Sequence, residues 1–325
     1  MEINSAPKKL LITGASGYLG GRIVKFFAES EAWSVIVAQR ESKDLFNFTN
    51  CNVRSIDWDD FQSLRKVCAE VFAVVHLAGM NAQDSAIKPT ESYKVNTVNT
   101  GLLLEAAIIE KVNKFIYFST AHVYASPLVG FFSEDTPTNN FHPYAASHKA
   151  AEDITRYYAS LGKIDGYVIR LSNAYGPPLM KETNCWTLLV NDLCRQAVEE
   201  KKMKLRSNGL QKRDFIPIHG LINALHFFLS DNSSPNSSKI FNLGGDWAIT
   251  VWEMAQTIQS RCEIILGYKP ALERNETGIE KCKIENLHYS IDKLKEYGIQ
   301  PAKNRLGEID ALIRFCVTHF SSGRN

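Results

Sequence analysis

Three glycines at three-residue intervals near the start of the chain could bind phosphate. Gly14, Gly17 and Gly20 follow an apolar run and precede an amphipathic stretch. A strand, a glycine turn and a helix in this order bring backbone N–H groups and the positive end of a helix dipole against a pyrophosphate. The pattern predicts a dinucleotide-binding turn rather than an ordinary tight turn. The residues expected at the ligand are Gly14, Ser16, Gly17, Tyr18, Leu19 and Gly20.

The end of the second predicted strand bears on the choice of dinucleotide. An acidic residue at this place accepts a ribose 2′-hydroxyl, whereas an arginine accommodates a 2′-phosphate. The sequence has Ala38, Gln39 and Arg40 there, with no carboxylate. Arg40 therefore favours NADP(H). NAD(H) remains the alternative if Arg40 is only an exposed arginine.

The elements that position these residues alternate regularly to about residue 175. Short β-branched segments and longer amphipathic ones in alternation are typical of parallel βαβ units. Strands are predicted at 9–13, 33–38, 52–56, 73–77, 114–119 and 167–171, and helices at 18–29, 59–70, 90–111 and 144–161. The sequence thus predicts an α/β Rossmann fold with a doubly wound parallel sheet.

The alternation stops after Pro177 and Pro178. Helices are predicted at 187–201, 251–265 and 306–319, a strand at 240–243 and a loop at 231–238. These elements predict a smaller, mixed α/β C-terminal substrate lobe. The segments 213–229 and 240–245 are predicted to lead the chain back into the main sheet. Residues 1–177 together with about 213–245 are therefore predicted to form the nucleotide-binding domain. About 178–212 with 246–325 would form the substrate lobe.

A series of motifs in a fixed order covers nearly the whole chain. They are Thr13-Gly14-x-x-Gly17-x-x-Gly20, Asp57, His76-Leu77-Ala78-Gly79, Asn96, Ser119-Thr120, Pro143-Tyr144, Arg170-x-x-Asn173-x-Tyr175-Gly176-Pro177, Arg213-Asp214-Phe215 and Phe241-Asn242-Leu243-Gly244. The sequence resembles the extended short-chain dehydrogenase/reductase family of nucleotide-sugar epimerases, dehydratases and reductases. The resemblance implies an NAD(P)-dependent enzyme acting on a nucleotide sugar.

The resemblance also implies roles for single residues. Thr120 and Tyr144 occupy the catalytic positions, where the phenol exchanges a proton with a substrate hydroxyl while hydride passes between the sugar and the nicotinamide. Asp57 looks like the adenine ligand. The other cofactor-binding residues implied are Leu77, Ala78, Gly79 and Asn96, together with Tyr144 and His148.

One position departs from the family pattern Y-x-x-x-K. His148 stands where the family has lysine, and Lys149 faces elsewhere on a helix. The family's lysine holds the nicotinamide ribose and lowers the pKa of the tyrosine, whereas a histidine is largely neutral at pH 7. Three interpretations stay open: His148 replaces the lysine as ribose ligand and proton relay, the enzyme tolerates slower turnover, or the protein is a cofactor-binding pseudoenzyme or regulatory subunit.

The two residues after the catalytic threonine bear on which of the family's reactions the protein catalyses. Similar 4,6-dehydratases carry an acidic pair there, but this chain has Ala121 and His122. Dehydration is therefore the least favoured reaction, although His122 offers an acid. Epimerisation at C4 and reduction of a 4-keto sugar remain, with reduction slightly ahead because Arg40 favours NADP(H). A non-sugar ketone or alcohol is a further alternative.

Three polar residues are expected to bind the nucleotide sugar in addition to Thr120 and His122. Asn173 and Arg213 match positions that contact the sugar nucleotide in relatives, and Arg274 is a further candidate. A guanidinium suits a diphosphate because it forms paired hydrogen bonds. The alternatives are a turn-capping role for Asn173 and a salt bridge of Arg213 with Asp214 or another neighbour.

Composition excludes several partners. The 325 residues include 37 basic and 35 acidic ones, a net charge of +2, so no global field attracts nucleic acid or a membrane surface. The longest apolar runs, 72–80 and 101–109, are too short to span a bilayer, and the first residues lack a signal-peptide pattern. We expect a cytoplasmic protein with a small-molecule partner. The resemblance further implies a homodimer formed through the helices at 90–111 and 144–161.

The cysteines and histidines give no sign of a metal site. The seven cysteines lack any C-x-x-C pair and predict reduced, mostly buried thiols. His219, His226, His288 and His319 show no ligand spacing with one another or with acidic residues. His76, at the end of a buried strand, is expected to be a hydrogen-bonded core residue.

Overall fold

Fourteen strands occur in the computed structural model, which describes residues 6–40, 46–231, 239–275 and 284–321. They are β1 (Lys8–Thr13), β2 (Trp33–Gln39), β3 (Cys51–Ser55), β4 (Ala73–His76), β5 (Lys114–Thr120), β6 (Gly130–Phe132), β7 (Asp165–Leu171), β8 (Asn173–Tyr175), β9 (Lys202–Lys204), β10 (Lys212–Pro217), β11 (Lys239–Leu243), β12 (Ala248–Thr250), β13 (Ala271–Glu273) and β14 (Leu287–Tyr289).

Eleven α-helices occur among the described residues. They are α1 (Tyr18–Ala28), α2 (Phe61–Cys68), α3 (Ala82–Ile87), α4 (Pro89–Tyr93), α5 (Asn99–Ile109), α6 (Pro143–Ser160), α7 (Leu189–Glu199), α8 (Ile218–Ser230), α9 (Val251–Leu266), α10 (Asp292–Glu296) and α11 (Arg305–Phe320). A π-helical turn, Lys94–Val98, joins α4 to α5.

Seven parallel strands form the main sheet in the order β11-β7-β5-β4-β1-β2-β3. The chain order reverses between β1 and β4, and in open α/β sheets the ligand crevice lies at such a point, beyond the carboxyl ends of the strands. The prediction of a doubly wound Rossmann sheet is confirmed. The seven strands predicted for it are present, with their ends shifted by at most two residues.

One prediction about a single segment is wrong. Residues 213–229 do not add a strand to the main sheet, because β10 pairs with β8 on one side and with β12 on the other in a separate three-stranded sheet. The helix predicted over 90–111 is confirmed, because α4, the π-helical turn and α5 make residues 89–109 helical without a gap. The prediction that 240–245 adds a strand to the main sheet is confirmed, because β11 lies at the edge of this sheet.

The chain divides into two compact units. The first comprises Met1–Ser126, Pro137–Arg170 and Leu225–Phe241, and the second Pro127–Thr136, Leu171–Ala224 and Asn242–Asn325. The domain boundaries inferred from the sequence stay a prediction. The first unit has a core around Leu11, Leu103 and Phe115, and the second has one formed by α7, α9 and α11.

The described ranges contain six cysteines, all free and five of them buried; Cys282 lies outside these ranges, as do residues 232–238 of the predicted loop. In the same ranges no helix is both long and apolar enough to cross a membrane, and no cluster of His, Cys, Asp or Glu is suited to a metal ion. The cytoplasmic location stays a prediction.

Candidate active site

The glycine turn joins the end of β1 to the start of α1. Gly14 has φ +71°, and a Cβ there would lie 2.7 Å from the backbone nitrogen of Ala78. A Cβ at Gly20 would collide with the carbonyl oxygen of Gly14. Gly17 is the N-cap of α1 and no side chain caps the helix, so its first amide groups remain available to an anion. The turn has the backbone that a pyrophosphate needs.

A cavity of about 1200 Å³ lies beside this turn in the first unit. Of the predicted cofactor residues, its lining includes Gly14, Ser16, Gly17, Arg40, Leu77, Ala78 and Gly79. Tyr18, Leu19 and Gly20 start α1 instead. Asp57 lies between the lining residues Ile56 and Trp58, and its carboxylate accepts a hydrogen bond from the amide of Asp59. The size and lining of the cavity suit a dinucleotide.

His76 ties the ends of β1 and β4 together beneath the cavity. The Thr100 hydroxyl donates to the Asn96 carbonyl oxygen at 2.7 Å, so its own oxygen accepts from His76 Nε2–H at 2.9 Å. His76 Nδ1 then accepts from the Thr13 hydroxyl at 2.6 Å, and the Thr13 oxygen accepts from the Ala78 amide at 3.3 Å. Burial lowers the pKa of His76 to about 3. His76 is a hydrogen-bonded core residue, as predicted.

Asn96 lies in the π-helical turn and holds the loop that follows β4. Its Oδ1 accepts from the Met80 amide at 2.7 Å, and its Nδ2 donates to the Ser147 hydroxyl at 3.0 Å. A Cβ on Gly79 would lie 3.3 Å from the same Oδ1. A π-helical turn adds one residue to a helix and is frequent at functional sites. Asn96 therefore supports the cavity wall at Gly79.

Thr120 and Tyr144 come together at the end of β5 and the start of α6. Thr120 is the last residue of β5, and its Oγ1 accepts from the His122 amide at 3.1 Å. Pro143 occupies the first turn of α6, and His142 caps the helix by accepting from the Tyr144 amide. Burial raises the pKa of Tyr144, and its hydrogen bond with Thr120 opposes this shift. The family resemblance implies that this pair of hydroxyl groups is catalytic, and that role stays a prediction.

His148 is one helical turn beyond Tyr144, and the two ring centroids are 4.6 Å apart. The side chain is 7% exposed, and burial lowers its pKa to about 4. His148 Nδ1 lies 2.6 Å from the hydroxyl oxygen of Tyr117 on β5. Lys149 pairs with Asp153 instead. At neutral pH the position therefore carries no positive charge.

A buried ion pair lies behind the end of β5. Glu152 and Arg170 are 0% and 3% exposed, with an Oε2 to Nη2 distance of 2.7 Å. Glu152 Oε1 also accepts from the Ser119 hydroxyl at 2.6 Å, and Arg170 donates to the Tyr124 hydroxyl at 2.8 Å. Because Ser119 precedes Thr120, the pair fixes the strand that carries the threonine.

The predicted sugar-nucleotide residues of the second unit lie on β8, on β10 and just after β13. Asn173 donates to the backbone carbonyl of Asp214 at 3.0 Å, which is a structural contact. Arg213 is hydrogen-bonded to Gln211 and forms no ion pair within the described residues, and burial lowers its pKa. Arg274 stacks on Trp252, with its guanidinium carbon 4.2 Å from the ring centroid.

Residues 10–244 match the NAD dependent epimerase/dehydratase family. The chain belongs to this family. The predicted resemblance is thereby confirmed.

This family member is 26% identical over 266 residues to the dTDP-D-glucose 4,6-dehydratase of Mus musculus, an alignment that covers 78% of this chain and 73% of the relative. Among solved structures, it resembles the UDP-glucuronic acid 4-epimerase of Bacillus cereus in complex with UDP-glucuronic acid and NAD, with a TM-score of 0.77, 21% identity and coverage of 95% and 99%. It also resembles RMD from Pseudomonas aeruginosa complexed with NADPH, with a TM-score of 0.77, 18% identity and coverage of 96% and 98%. These two likenesses show the fold.

Sequence reasoning missed two residues that this epimerase/dehydratase family member places at its site. Tyr117 lies in an apolar strand pattern that gives no sign of a partner 31 residues later. Glu152 follows His148 by four residues and lies on the same face of α6, a spacing that could have suggested an inward position. Neither contact follows from local periodicity, because each joins a helix to a strand.

Proposed function

We propose that the protein transfers hydride at a ring carbon, C4, of a nucleotide-linked sugar, and that it favours reduction of a 4-keto sugar over epimerisation. The observation that carries the proposal is Tyr144, hydrogen-bonded to Thr120, beside a neutral His148. Membership of the epimerase/dehydratase family and the activities of the relatives named above support the substrate class.

The cofactor groove fits a nicotinamide dinucleotide. Gly14 and Gly17 would take the pyrophosphate, and Ala78 and Gly79 would line the path toward the nicotinamide. When bound, the nicotinamide ring supplies or accepts the hydride. Neighbouring structures contain either NAD or NADPH, so the preference for NADP(H) depends on Arg40 at the cavity lining.

The protonation state of Tyr144 favours the reductive direction. Burial raises the pKa of its phenol, and His148 provides no cation to lower it. The phenol therefore stays protonated at neutral pH and can donate its proton to a carbonyl oxygen as that oxygen gains negative charge. Oxidation of a hydroxyl, the first step of epimerisation, requires the phenolate, which is scarce at pH 7. Thr120 would hold the same substrate oxygen by a hydrogen bond.

Dehydration stays the least favoured reaction although the relative from Mus musculus is named as a dehydratase. Elimination needs an acid to protonate the leaving hydroxyl. The two residues after Thr120 are Ala121, which is buried, and His122. Neither supplies a carboxylic acid.

Two arginines of the second unit are proposed to bind the nucleotide diphosphate. Arg213 is partly buried without a carboxylate partner in the described part of the chain, which lowers its pKa and leaves its charge available to an anion. Arg274 is held by Trp252 and by the carbonyl of Asn208. Asn173 and His122 would contact the sugar.

The proposed assembly is a homodimer through α5 and α6. Apolar side chains on and next to these helices remain exposed, namely Val98, Ile109, Tyr157 and Leu161. Such a surface suits a helix-to-helix interface.

A second candidate function is a cofactor-binding regulatory subunit. The observation that favours it is the neutral His148 at the lysine position, which removes the charge that stabilises a tyrosinate. This candidate requires cofactor binding without turnover.

Incubation of the purified protein with NADPH and 4-keto nucleotide sugars, on both UDP and dTDP, tests the proposal. We expect loss of the NADPH absorbance and an equimolar 4-hydroxy sugar detected by NMR. Parallel incubations contain NAD with UDP-glucose, UDP-glucuronic acid or dTDP-glucose. Binding of NADPH with no turnover of any substrate would favour the regulatory subunit, and a new epimer or a 4-keto-6-deoxy sugar formed from a 4-hydroxy substrate would replace reduction as the assigned reaction.

Replacing Arg40 with alanine is expected to weaken NADPH binding by about 10–100-fold, since a hydrogen bond between charged groups contributes about 1.5–3 kcal/mol. NADH binding should change by less than about twofold, because NADH lacks the 2′-phosphate. Fluorescence titration of both cofactors provides the two dissociation constants. Lys25→Ala, an exposed change on α1 outside the cavity lining, is the control. Equal losses for NADPH and NADH would contradict the assignment.

A further inference from the structure

His148 presents its two ring nitrogens to different surroundings. Nδ1 lies 2.6 Å from the Tyr117 hydroxyl oxygen. On the opposite side of the ring, Nε2 faces Gly79, where a Cβ would lie 3.9 Å from it. No group in the described ranges forms a hydrogen bond with Nε2, although the side chain is only 7% exposed. Gly79 lines the cofactor cavity, so Nε2 is the nitrogen on the cavity side.

The Tyr117 hydroxyl decides which nitrogen carries the proton. Tyr117 is 1% exposed, and among the described residues its hydroxyl has His148 Nδ1 as hydrogen-bond partner. If Nδ1 carried the proton, the phenolic O–H would be buried with no acceptor, which is unfavourable. If Tyr117 donates to Nδ1, the phenolic O–H has an acceptor and Nδ1 has a donor. The single N–H of the neutral imidazole then lies on Nε2.

We infer that Tyr117 is a positioning residue that holds His148 in the Nε2–H tautomer, so that the ring offers an N–H donor to a hydroxyl group in the cofactor cavity beside Gly79. The inference rests on the proposed function for the identity of that hydroxyl, a ribose hydroxyl of the nicotinamide nucleotide. The other groups that face His148 are Tyr144 on its own helix and, through electrostatics, His76, which is itself neutral.

The Tyr117–His148 pair would separate two tasks that a lysine performs together. A lysine at this position offers both N–H donors and a positive charge. The Nε2–H tautomer keeps the donor, and the neutral ring gives up the charge. The protein then holds the nucleotide without lowering the pKa of Tyr144.

Nitrogen-15 NMR of the labelled protein without any ligand tests the tautomer directly. The two imidazole nitrogens have well separated shifts, and His148→Gln assigns the signals of this ring. We expect a protonated Nε2 and an unprotonated Nδ1 that persist from pH 6 to pH 8. A protonated Nδ1, or a charged ring, would overturn the inference. This readout requires neither turnover nor a sugar, so an inactive protein would refute the proposed function and leave the tautomer result to stand.

Tyr117→Phe gives the second readout. Without the phenol the tautomer is no longer fixed, so the signals of His148 should shift toward Nδ1–H, and the dissociation constant for NADPH should rise about tenfold. The control is Tyr158→Phe, which removes a tyrosine hydroxyl that donates to Glu105 at 2.9 Å on the far part of α6. This substitution should change neither the NMR signals of His148 nor the dissociation constant for NADPH.

In the His148→Lys background, Tyr117→Phe should have no effect on NADPH binding, because the residue it positions is gone. An equal loss in that background would show a merely structural role and overturn the inference. If Tyr117→Phe does not fold, the tautomer of the unaltered protein still decides.

Discussion

Replacing Tyr144 with phenylalanine is expected to lower kcat for keto-sugar reduction by about 10²–10⁴-fold, the usual contribution of a positioned general acid. The phenol is the group hydrogen-bonded to Thr120, and phenylalanine keeps the ring that packs against His148. The dissociation constant for NADPH and the melting temperature should therefore change little. Steady-state kinetics with a 4-keto nucleotide sugar provides kcat and KM separately.

The matched control is Tyr157→Phe on the same helix. Tyr157 is 59% exposed and lies thirteen residues beyond Tyr144. Its hydroxyl has no role in the proposed chemistry, so kcat should stay within about twofold of the unaltered protein. If Tyr144→Phe retained more than a tenth of the turnover, the phenol would not be the acid.

Replacing Glu152 with alanine is expected to lower the free energy of unfolding by about 3–5 kcal/mol, the cost of breaking a buried ion pair from one side. Arg170 would lose the carboxylate that neutralises it while it remains buried. The Ser119 hydroxyl would also lose its acceptor. Urea unfolding followed by circular dichroism measures the change.

Asp153→Ala, one residue further along α6, is the control for Glu152. Asp153 is 56% exposed and pairs with Lys149 and Arg156 at the surface. Exposed ion pairs contribute about 0–1 kcal/mol, so this substitution should have a small effect. A similar loss of stability in both variants would contradict the importance assigned to the buried pair.

The main sheet could be predicted from the sequence because most of its strands are largely or fully buried, with β3 as the exception. The buried part of β1 contains the apolar run Leu10-Leu11-Ile12, β5 is rich in aromatic residues, and helices separate the strands, so local pattern and tertiary position agree. The glycine turn could be predicted for the same reason: the local backbone of Gly14 depends on its residue type. Thr120 and Tyr144 came from the family resemblance and lie together as expected.

The remaining features depend on contacts between distant segments. The composition of β10 indicates a strand. Its pairing with β8 and β12, however, joins segments that are about 40 residues apart in the sequence, and local pattern does not indicate such pairing. The π-helical turn at Lys94–Val98 is accompanied by contacts that apolar periodicity does not indicate, since Asn96 bonds to Met80 in the loop after β4 and Thr100 bonds to His76 at the end of β4. The sequence identified His148 as a departure from the family pattern, but the partner of its Nδ1 is on another strand.

The site consequently combines a familiar pair of hydroxyl groups with unusual electrostatics. Burial lowers the pKa of His148 to about 4 and raises that of Tyr144 above its ordinary range, so both groups are neutral at pH 7. A neutral phenol is competent as an acid, and its activity ends where it loses its proton. Because activity depends on the protonation state of Tyr144, the pH dependence of kcat is the most informative property of the enzyme.

The most direct test of the account is the pH dependence of kcat for 4-keto-sugar reduction by the unaltered protein and by His148→Lys. The unaltered protein should show a level rate from about pH 6 to about pH 10, because His148 is already neutral and Tyr144 stays protonated to beyond the ordinary tyrosine pKa of about 10. The lysine cation should lower the pKa of Tyr144 and move the loss of activity to lower pH, with no gain in turnover at pH 7. A rate that falls near neutral pH in the unaltered protein, or a large gain in turnover for His148→Lys, would contradict the account.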